Sequence, residues 1–308
     1  MFLQEAEDRM RQLDIELSRT ADKAKLRELQ QEKGQLLAQA YGSISSFDRV
    51  YLARKSTRPG VRDYIGRIFT DFFEMHGDRL MQDDPAVIGG IAALDGQPVT
   101  VIGHCKGKTL DENIKYNFGM PNPEGYRKAL RLMKQAEKFR RPIITFIDTP
   151  GAYPGLESEM HGQGEAIARN LMEMGGLTVP IISIVIGEGG SGGALALSVA
   201  DRIWMLENAV YSILSPEGFA SILWKDSSRA REAAELMKLT AYDLYTRGIV
   251  DRLFGEPAGG VDSNSRSIYE RMKNALLSEL SILGRQTGKA LVEQRYKKYR
   301  RIGDCTSK

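Results

Sequence analysis

The stretch Gly187-Glu188-Gly189-Gly190-Ser191-Gly192-Gly193 carries chemistry that would come from the backbone rather than from side chains. It follows the apolar, β-branched run Val179 to Ile186 and precedes Ala194-Leu195-Ala196-Leu197. The pattern predicts a buried parallel strand whose carboxyl end delivers N–H groups to a helix N-terminus, where an anion or a developing oxyanion would sit. Three motif readings compete. Gly187-x-Gly189-x-x-Gly192 fits the dinucleotide fingerprint, with Glu207 about 20 residues on as the ribose-binding acid. Against it, the segment left for a crossover helix, Gly193 to Ala200, is short, and strand-like runs already precede the turn. Gly189-x-Ser191-x-Gly193 fits a nucleophile elbow, but its histidine must follow the serine, and His76, His104 and His161 all precede it. The third reading is an oxyanion hole of backbone amides. A tight turn whose glycines only allow close packing is the plain alternative.

A second turn of the same kind points to a site. Pro142-Ile143-Ile144-Thr145-Phe146-Ile147 empties into Asp148-Thr149-Pro150-Gly151-Ala152-Tyr153-Pro154-Gly155, and its opening Pro-Ile-Ile is repeated at Pro180-Ile181-Ile182. Two such strands with crossovers between them predict parallel neighbours, with both turns on one edge of a sheet, where α/β folds bind ligands.

The elements that must position these turns follow from periodicity. Residues 1 to about 40 are charged and helix-favouring with a broken leucine stripe, predicting a helical arm or hairpin packed on a partner or on the body. Residues 41 to 60 read as a connector. Tyr64, Ile68, Phe72 and Met75 predict one amphipathic helix from Val61 to Met75. The runs Ala86 to Ile91 and Pro98 to Gly103 flank Asp95-Gly96, a hairpin signal. After a lysine-bearing loop, Glu124 to Phe139 predicts a helix burying Ala129, Leu132, Met133 and Ala136. A helix over Glu165 to Met174, strands over Arg202 to Leu206 and Val210 to Leu214, and helices over Phe219 to Trp224 and Arg229 to Leu239 complete a β-β-α rhythm.

With 308 residues, of which 42% are hydrophobic, the chain can bury a sizeable core as one domain with helical extensions. A net charge of +3 gives no strong case for nucleic acid or membrane. No apolar stretch is long enough to span a bilayer, and the acidic Met1 to Met10 does not read as a signal peptide, so a cytoplasmic location is expected. Cys105 and Cys305 are too few for a disulfide framework and lack metal-ligand spacing. No Met-Lys-Met biotin attachment context and no G-x-x-x-x-G-K-[ST] loop occurs.

The run Asn117-Phe118-Gly119-Met120-Pro121 with Pro123 to Met133, then Phe146 to Gly155, Ile186 to Ala196, Ser215-Pro216-Glu217-Gly218 and Ile222-Leu223-Trp224-Lys225 resembles the carboxyltransferase alpha subunit of multi-subunit, bacterial- or plastid-type acetyl-CoA carboxylase. The likeness runs over Phe47 to Gly260; the first forty residues and the tail beyond Val261 match in helical character only. The resemblance implies an α/β, crotonase-like superhelix of β-β-α units with an N-terminal helical extension. It divides the chain into an arm and connector (1–60), a carboxyltransferase domain (61–260) and a helical tail (261–308).

It further implies transfer of a carboxyl group from carboxybiotin, held on a biotin carboxyl carrier protein, to acetyl-CoA, giving malonyl-CoA, the first committed step of fatty acid synthesis. The partners implied are a separate beta subunit, in an α2β2 assembly, and biotin carboxylase. No cofactor is bound covalently, and zinc belongs to the beta subunit only. By resemblance, the amides of Gly192 and Gly193 form the oxyanion hole for the ureido oxygen of biotin. Gly151, Ala152, Tyr153, Gly189, Gly190, Ser191 and Ala194 line the substrate site. Lys106, Lys108, Arg127 and Lys128 are candidates to meet coenzyme A phosphates or an acidic carrier. Where the family has Glu-Glu-Arg-Gly-Gln-Ser, this chain reads Glu159-Met160-His161-Gly162-Gln163-Gly164, leaving His161 either a substitute donor or a solvated or structural loop residue. Two other classes stay open. A self-contained crotonase-like hydratase or thioesterase would use Glu188 or Asp148, and an assembly subunit would need no glycine chemistry.

Overall fold

The computed structural model describes residues 3–262 and 264–304; Cys305 lies outside them. Helices α1 (Leu3–Arg19) and α2 (Lys23–Gly42) form a hairpin, with Asp22 capping the second helix. Leu3, Ala6, Met10 and Leu13 are buried on α1, and the buried end of Glu7 binds Lys55 and Tyr51 at 2.8 and 2.9 Å, tying the arm to the next helix. The connector is itself helical: α3 (Ser46–Arg54) begins at a Ser45/Asp48 capping box. That Ser-x-x-Asp spacing is a readable start signal.

α4 (Val61–Ile68) is shorter than its apolar stripe predicts, because the chain turns into strand β1 (Thr70–Glu74). Phe73 pairs with Ile91 and Glu74 with Gly90 of β2 (Val87–Leu94). A methyl group on Gly90 would lie 2.1 Å from the Phe73 carbonyl oxygen, so this glycine admits the strand. β2 and β3 (Gln97–His104) form the expected hairpin, with Asp95 and Gly96 both at positive φ, as a tight hairpin turn requires.

α5 (Leu110–Lys115) occupies the lysine loop, and α6 (Pro123–Lys138) starts with proline at its first turn and buries Ala129, Leu132, Met133 and Ala136. Next come β4 (Ile143–Thr149), α7 (Leu156–Met160), α8 (Gln163–Gly176), β5 (Ile181–Gly190) and α9 (Ser191–Leu195). β6 (Arg202–Leu206), β7 (Val210–Ser212), α10 (Pro216–Trp224), α11 (Ala230–Met237), α12 (Ala241–Thr246) and β8 (Arg252–Phe254) follow, and α13 (Arg266–Leu283) and α14 (Gly288–Arg301) complete the order. β7 is shorter than the Val210 to Leu214 run predicts.

One mixed sheet runs β1-β2-β3-β4-β5-β6-β8, with β7 beside the upper half of β5. The two Pro-Ile-Ile starts lie in register, Ile143 opposite Ile181 and Ile144 opposite Ile182, in a parallel pair. Both strands are wholly buried, as a parallel strand covered on both faces should be. The tail packs into the same core: Ile268, Tyr269, Met272, Leu276, Leu280 and Leu283 are buried on α13, and the Tyr269 ring stacks edgewise on Tyr64 at 5.2 Å. From α14 a buried Arg295 reaches Asp201 at 2.9 Å and donates to the carbonyls of Met174, Leu177 and Val179. Among the described residues no helix is long and apolar enough to cross a membrane.

Candidate functional site

The glycine stretch divides differently from its sequence reading. Gly187 to Gly190 are the end of β5, and the helix begins at Ser191, which takes a left-handed φ of 55°. This overturns the dinucleotide reading. The fingerprint needs its glycines in a turn before a long crossover helix, whereas here Gly187 and Gly189 are strand, Gly192 is already helical and the helix has five residues. Glu207, the proposed ribose acid, accepts the Glu256 N–H at 2.9 Å.

The parallel β4/β5 pair brings the two glycine segments together. A methyl group on Gly190 would lie 2.1 Å from the Pro150 oxygen, and one on Gly193 would lie 2.7 Å from the Ala152 nitrogen and 2.8 Å from the Gly151 carbon. The walls touch through backbone alone, a contact open only to glycine. Thr149 braces the lower wall, its hydroxyl donating to the Gly151 oxygen at 2.8 Å and accepting the Gly151 N–H at 3.0 Å. Gly192 is half-buried with only the Ile167 side chain near its Cβ side, at 3.5 Å, and Ser191 is exposed. The first-turn amides of α9 have no carbonyl one turn earlier in the helix to bond, which leaves them as donors without an intrahelical partner. From Ser191 and Gly192 an apolar groove of about 640 Å³ extends past Leu195, Tyr211, Ile213 and Ile302. Gly189 lies against the Tyr211 ring, and Ala194 is turned into the main core, so Ala194 does not face the site. Tyr153 is exposed at the rim, its N–H held by the Pro121 carbonyl at 3.0 Å and its own carbonyl by Gln163.

Behind β5 lies a charge network that sequence reasoning missed. Glu188 accepts from Arg54 at 2.6 Å and from Lys106 at 2.8 Å, and Arg54 also pairs with Glu217 at 2.8 Å. Burial pushes the Glu188 carboxyl up, but Lys106 and Arg54 outweigh it and hold it below the ordinary range. Asp148, fully desolvated, is pushed up despite Lys106, and accepts the Glu188 N–H at 3.0 Å. Arg58 donates to the Ile186 carbonyl at 2.5 Å and to Glu256 at 2.6 Å. Both carboxylates that a self-contained hydratase would use are therefore spent on fixing the strand. Arg54 and Arg58 lie in the segment read as a connector, and the Ser45 capping box was the available signal that it is ordered.

The four basic candidates separate. Lys128 is wholly buried, donating to Asp83 at 2.5 Å and to the Asp84 carbonyl at 2.7 Å, and Arg127 is committed to Asp78, Glu124 and the His161 carbonyl. Both hold the 76–84 loop and the 161 segment to α6 and offer no face to a phosphate. Lys106 serves Glu188, and Lys108 is exposed with Asp63 at 2.8 Å. His161 bonds the buried Glu124 at 2.8 Å through Nδ1, which makes it a tether of its loop rather than a solvated residue. Among the described residues there is no cluster of three histidine, cysteine or acidic groups able to hold a metal, and the Cys105 thiol is buried and pushed up to about 12.

His104 closes the floor. It accepts the Asp148 N–H on Nδ1 at 3.4 Å, and burial lowers its pKa from 6.5 to about 3, so it stays neutral beneath the site. In the unfolded chain this imidazole charges near 6.5, whereas in the folded chain it charges near 3. Between these values the unfolded state binds the extra proton, and stability falls as pH drops, by at most about 1.4 kcal/mol per pH unit. His104→Gln is therefore expected to flatten the acid limb of a denaturation-midpoint profile between these pH values. An unchanged slope would remove His104 as its source.

Comparison with known proteins matches residues 2–303 to the family described as acetyl co-enzyme A carboxylase carboxyltransferase-like. The chain is 55% identical to the acetyl-coenzyme A carboxylase carboxyl transferase subunit alpha of Geobacillus thermodenitrificans, over 99% of this chain and 92% of that one. It is 56% identical to the subunit alpha of Bacillus cytotoxicus, over 91% and 87%. Among solved structures, the beta subunit of P. aeruginosa geranyl-CoA carboxylase superposes with a TM-score of 0.58 at 17% identity, covering 82% of this chain and 46% of that one. A Pseudomonas malonate decarboxylase hetero-tetramer in complex with coenzyme A gives 0.57 at 19% identity, covering 69% and 85%. These structural likenesses establish the crotonase-like fold.

Proposed function

Because the chain belongs to the acetyl-CoA carboxylase carboxyltransferase family as an alpha subunit, we propose that it performs its transfer with the amides of Gly192 and Gly193 as oxyanion donors. The protein is a transferase subunit of a multi-subunit enzyme with a beta partner, acting on acetyl-CoA and carboxybiotin. One observation carries the assignment of the site: Gly190 and Gly193 approach the backbone of Pro150, Gly151 and Ala152 too closely to admit a Cβ.

When the N1–carboxyl bond of carboxybiotin breaks, carbon dioxide leaves and negative charge spreads to the ureido oxygen. Preorganised amides at that oxygen lower the barrier, each by about 2.7–4 kcal/mol. N1 then takes a proton from the acetyl methyl group, and the resulting carbanion attacks the carbon dioxide to give malonyl-CoA. No protein base is required, in keeping with a site of glycines backed by a neutral histidine and two committed carboxylates. The groove beside Ser191 and Gly192 would seat the biotin ring, with Gly151, Ala152 and Tyr153 on the opposite wall.

The finer assignments complete the reading. Residues 61–260 form the carboxyltransferase body, 1–60 its arm and connector and 261–308 its tail, whose helices α13 and α14 pack on the body. The assembly is α2β2, biotin arrives on a carrier protein charged by biotin carboxylase, zinc resides on the beta subunit, and the complex is cytoplasmic. Of the basic candidates, Lys108 is kept for a phosphate or acidic-carrier contact. The test is malonyl-CoA decarboxylation dependent on biocytin, with this chain alone and with a co-expressed beta subunit. Activity is expected only in the mixture. Acyl-CoA turnover by this chain alone would overturn the reading and reassign the glycines to thioester binding.

A further inference from the structure

Tyr126 of α6 sits where the two glycine walls meet, and the transfer chemistry above makes no use of it. Its side chain is fully buried and its hydroxyl has no hydrogen-bond partner among the described residues. The ring packs with Ala166 and Ala196 against Ala152 and Ile167, on the inner side of both walls. A methyl group on Gly193 would lie 2.8 Å from that hydroxyl, as close as it would lie to the Gly151 backbone. Asn170 fixes the arrangement, donating to the Tyr126 carbonyl at 3.1 Å and to the Ala196 carbonyl at 3.2 Å, so that α6 and the exit of α9 move together. Burial raises the phenol pKa further, which keeps the hydroxyl a neutral donor at every working pH.

A buried hydroxyl without an acceptor destabilises the resting fold, and phenylalanine would fill the same space without that cost. Its benefit must come at another point along the reaction. In a buried pocket an uncompensated dipole is strengthened by the low dielectric, and it favours a state in which negative charge develops beside it. We propose that Tyr126 is a positioning residue for carboxyl transfer, acting through the Gly193 peptide to align the two walls as charge builds on the oxygen they hold. This rests on the reading of Gly193 as an oxyanion donor.

The experiment compares Tyr126→Phe, Gly193→Ala and the double variant in the co-purified alpha–beta complex, by biocytin-dependent malonyl-CoA decarboxylation and by melting temperature. For Tyr126→Phe, kcat is expected to fall about tenfold with both KM values within about twofold, while the melting temperature is unchanged or higher. The double variant is expected to be no slower than Gly193→Ala, because the hydroxyl acts through that residue. Wild-type kcat in Tyr126→Phe, a lowered melting temperature that accounts for the loss, or a multiplicative loss in the double variant would each overturn the proposal. Should Gly193→Ala also retain full rate, the oxyanion reading falls with it. A slow Gly193→Ala beside a wild-type Tyr126→Phe removes Tyr126 alone.

Discussion

Gly193→Ala is expected to slow carboxyl transfer by the alpha–beta complex on the order of 10²–10³-fold, while Gly192→Ala stays within about threefold. Neither substitution deletes an amide, so the contrast tests geometry rather than composition. A methyl group at 192 would meet only the Ile167 side chain, at 3.5 Å, an ordinary contact. At 193 it would press on the Ala152 nitrogen at 2.7 Å and the Gly151 carbon at 2.8 Å, backbone atoms that move only with their wall. Opening that contact shifts the donors from the position of the developing oxyanion, and the loss of one aligned donor sets the scale. The measurement is kcat for biocytin-dependent decarboxylation with purified complex of unchanged subunit stoichiometry. Equal, small effects at both positions would mean that the glycines serve packing alone.

The second large effect concerns stability rather than turnover. Arg295→Met is expected to cost about 3–5 kcal/mol of stability, because it leaves the buried Asp201 carboxylate unpaired. Asp201 and Arg295 are 3% and 1% exposed at their side chains, so solvent cannot take over the lost bonds. The guanidinium also satisfies the Met174 and Leu177 carbonyls at 2.7 and 2.8 Å, at the turn that leads from α8 into β5. A denaturant midpoint, with the slope checked for two-state behaviour, reads the loss, and adding Asp201→Asn should recover part of it by removing the orphaned charge. A midpoint equal to wild type would show the clasp to be energetically idle.

The parts of the fold that were legible are those in which local pattern and tertiary demand agree. The repeated Pro-Ile-Ile foretells the β4/β5 register because both strands are buried on both faces and start at the same level. Asp95-Gly96 foretells its hairpin because few other pairs accept two positive φ angles. Phe72 and Met75 mislead because three- and four-residue spacing also occurs where a helix ends and a strand begins, and what decides is Gly90, more than a dozen residues later, which lets β1 approach. In the site, the glycine walls were visible as types and spacing. The Arg54–Glu188–Lys106 network was not, since nothing local shows which charges 82 and 134 residues apart will meet. Lys128 and Arg127 looked like free cations for the same reason. Tyr126 occupies a core position of the α6 stripe, and only the assembled fold leaves its hydroxyl without an acceptor.

The Arg295 clasp also sets an order of events during synthesis. Its partners Asp201 and Met174 lie 94 and 121 residues earlier in the chain. At a translation rate of about 5–20 residues per second, β5 and the strands beside it leave the ribosome roughly 5–20 s before the helix that secures them. Through that interval the nascent chain holds a parallel sheet without its fastening, the slow-pairing topology most exposed to wrong partners. The entry to β5, where the clasp holds the turn from α8, is thus among the last parts of the molecule to be secured, and the growing chain is open to mispairing during those seconds in a way its finished stability does not show.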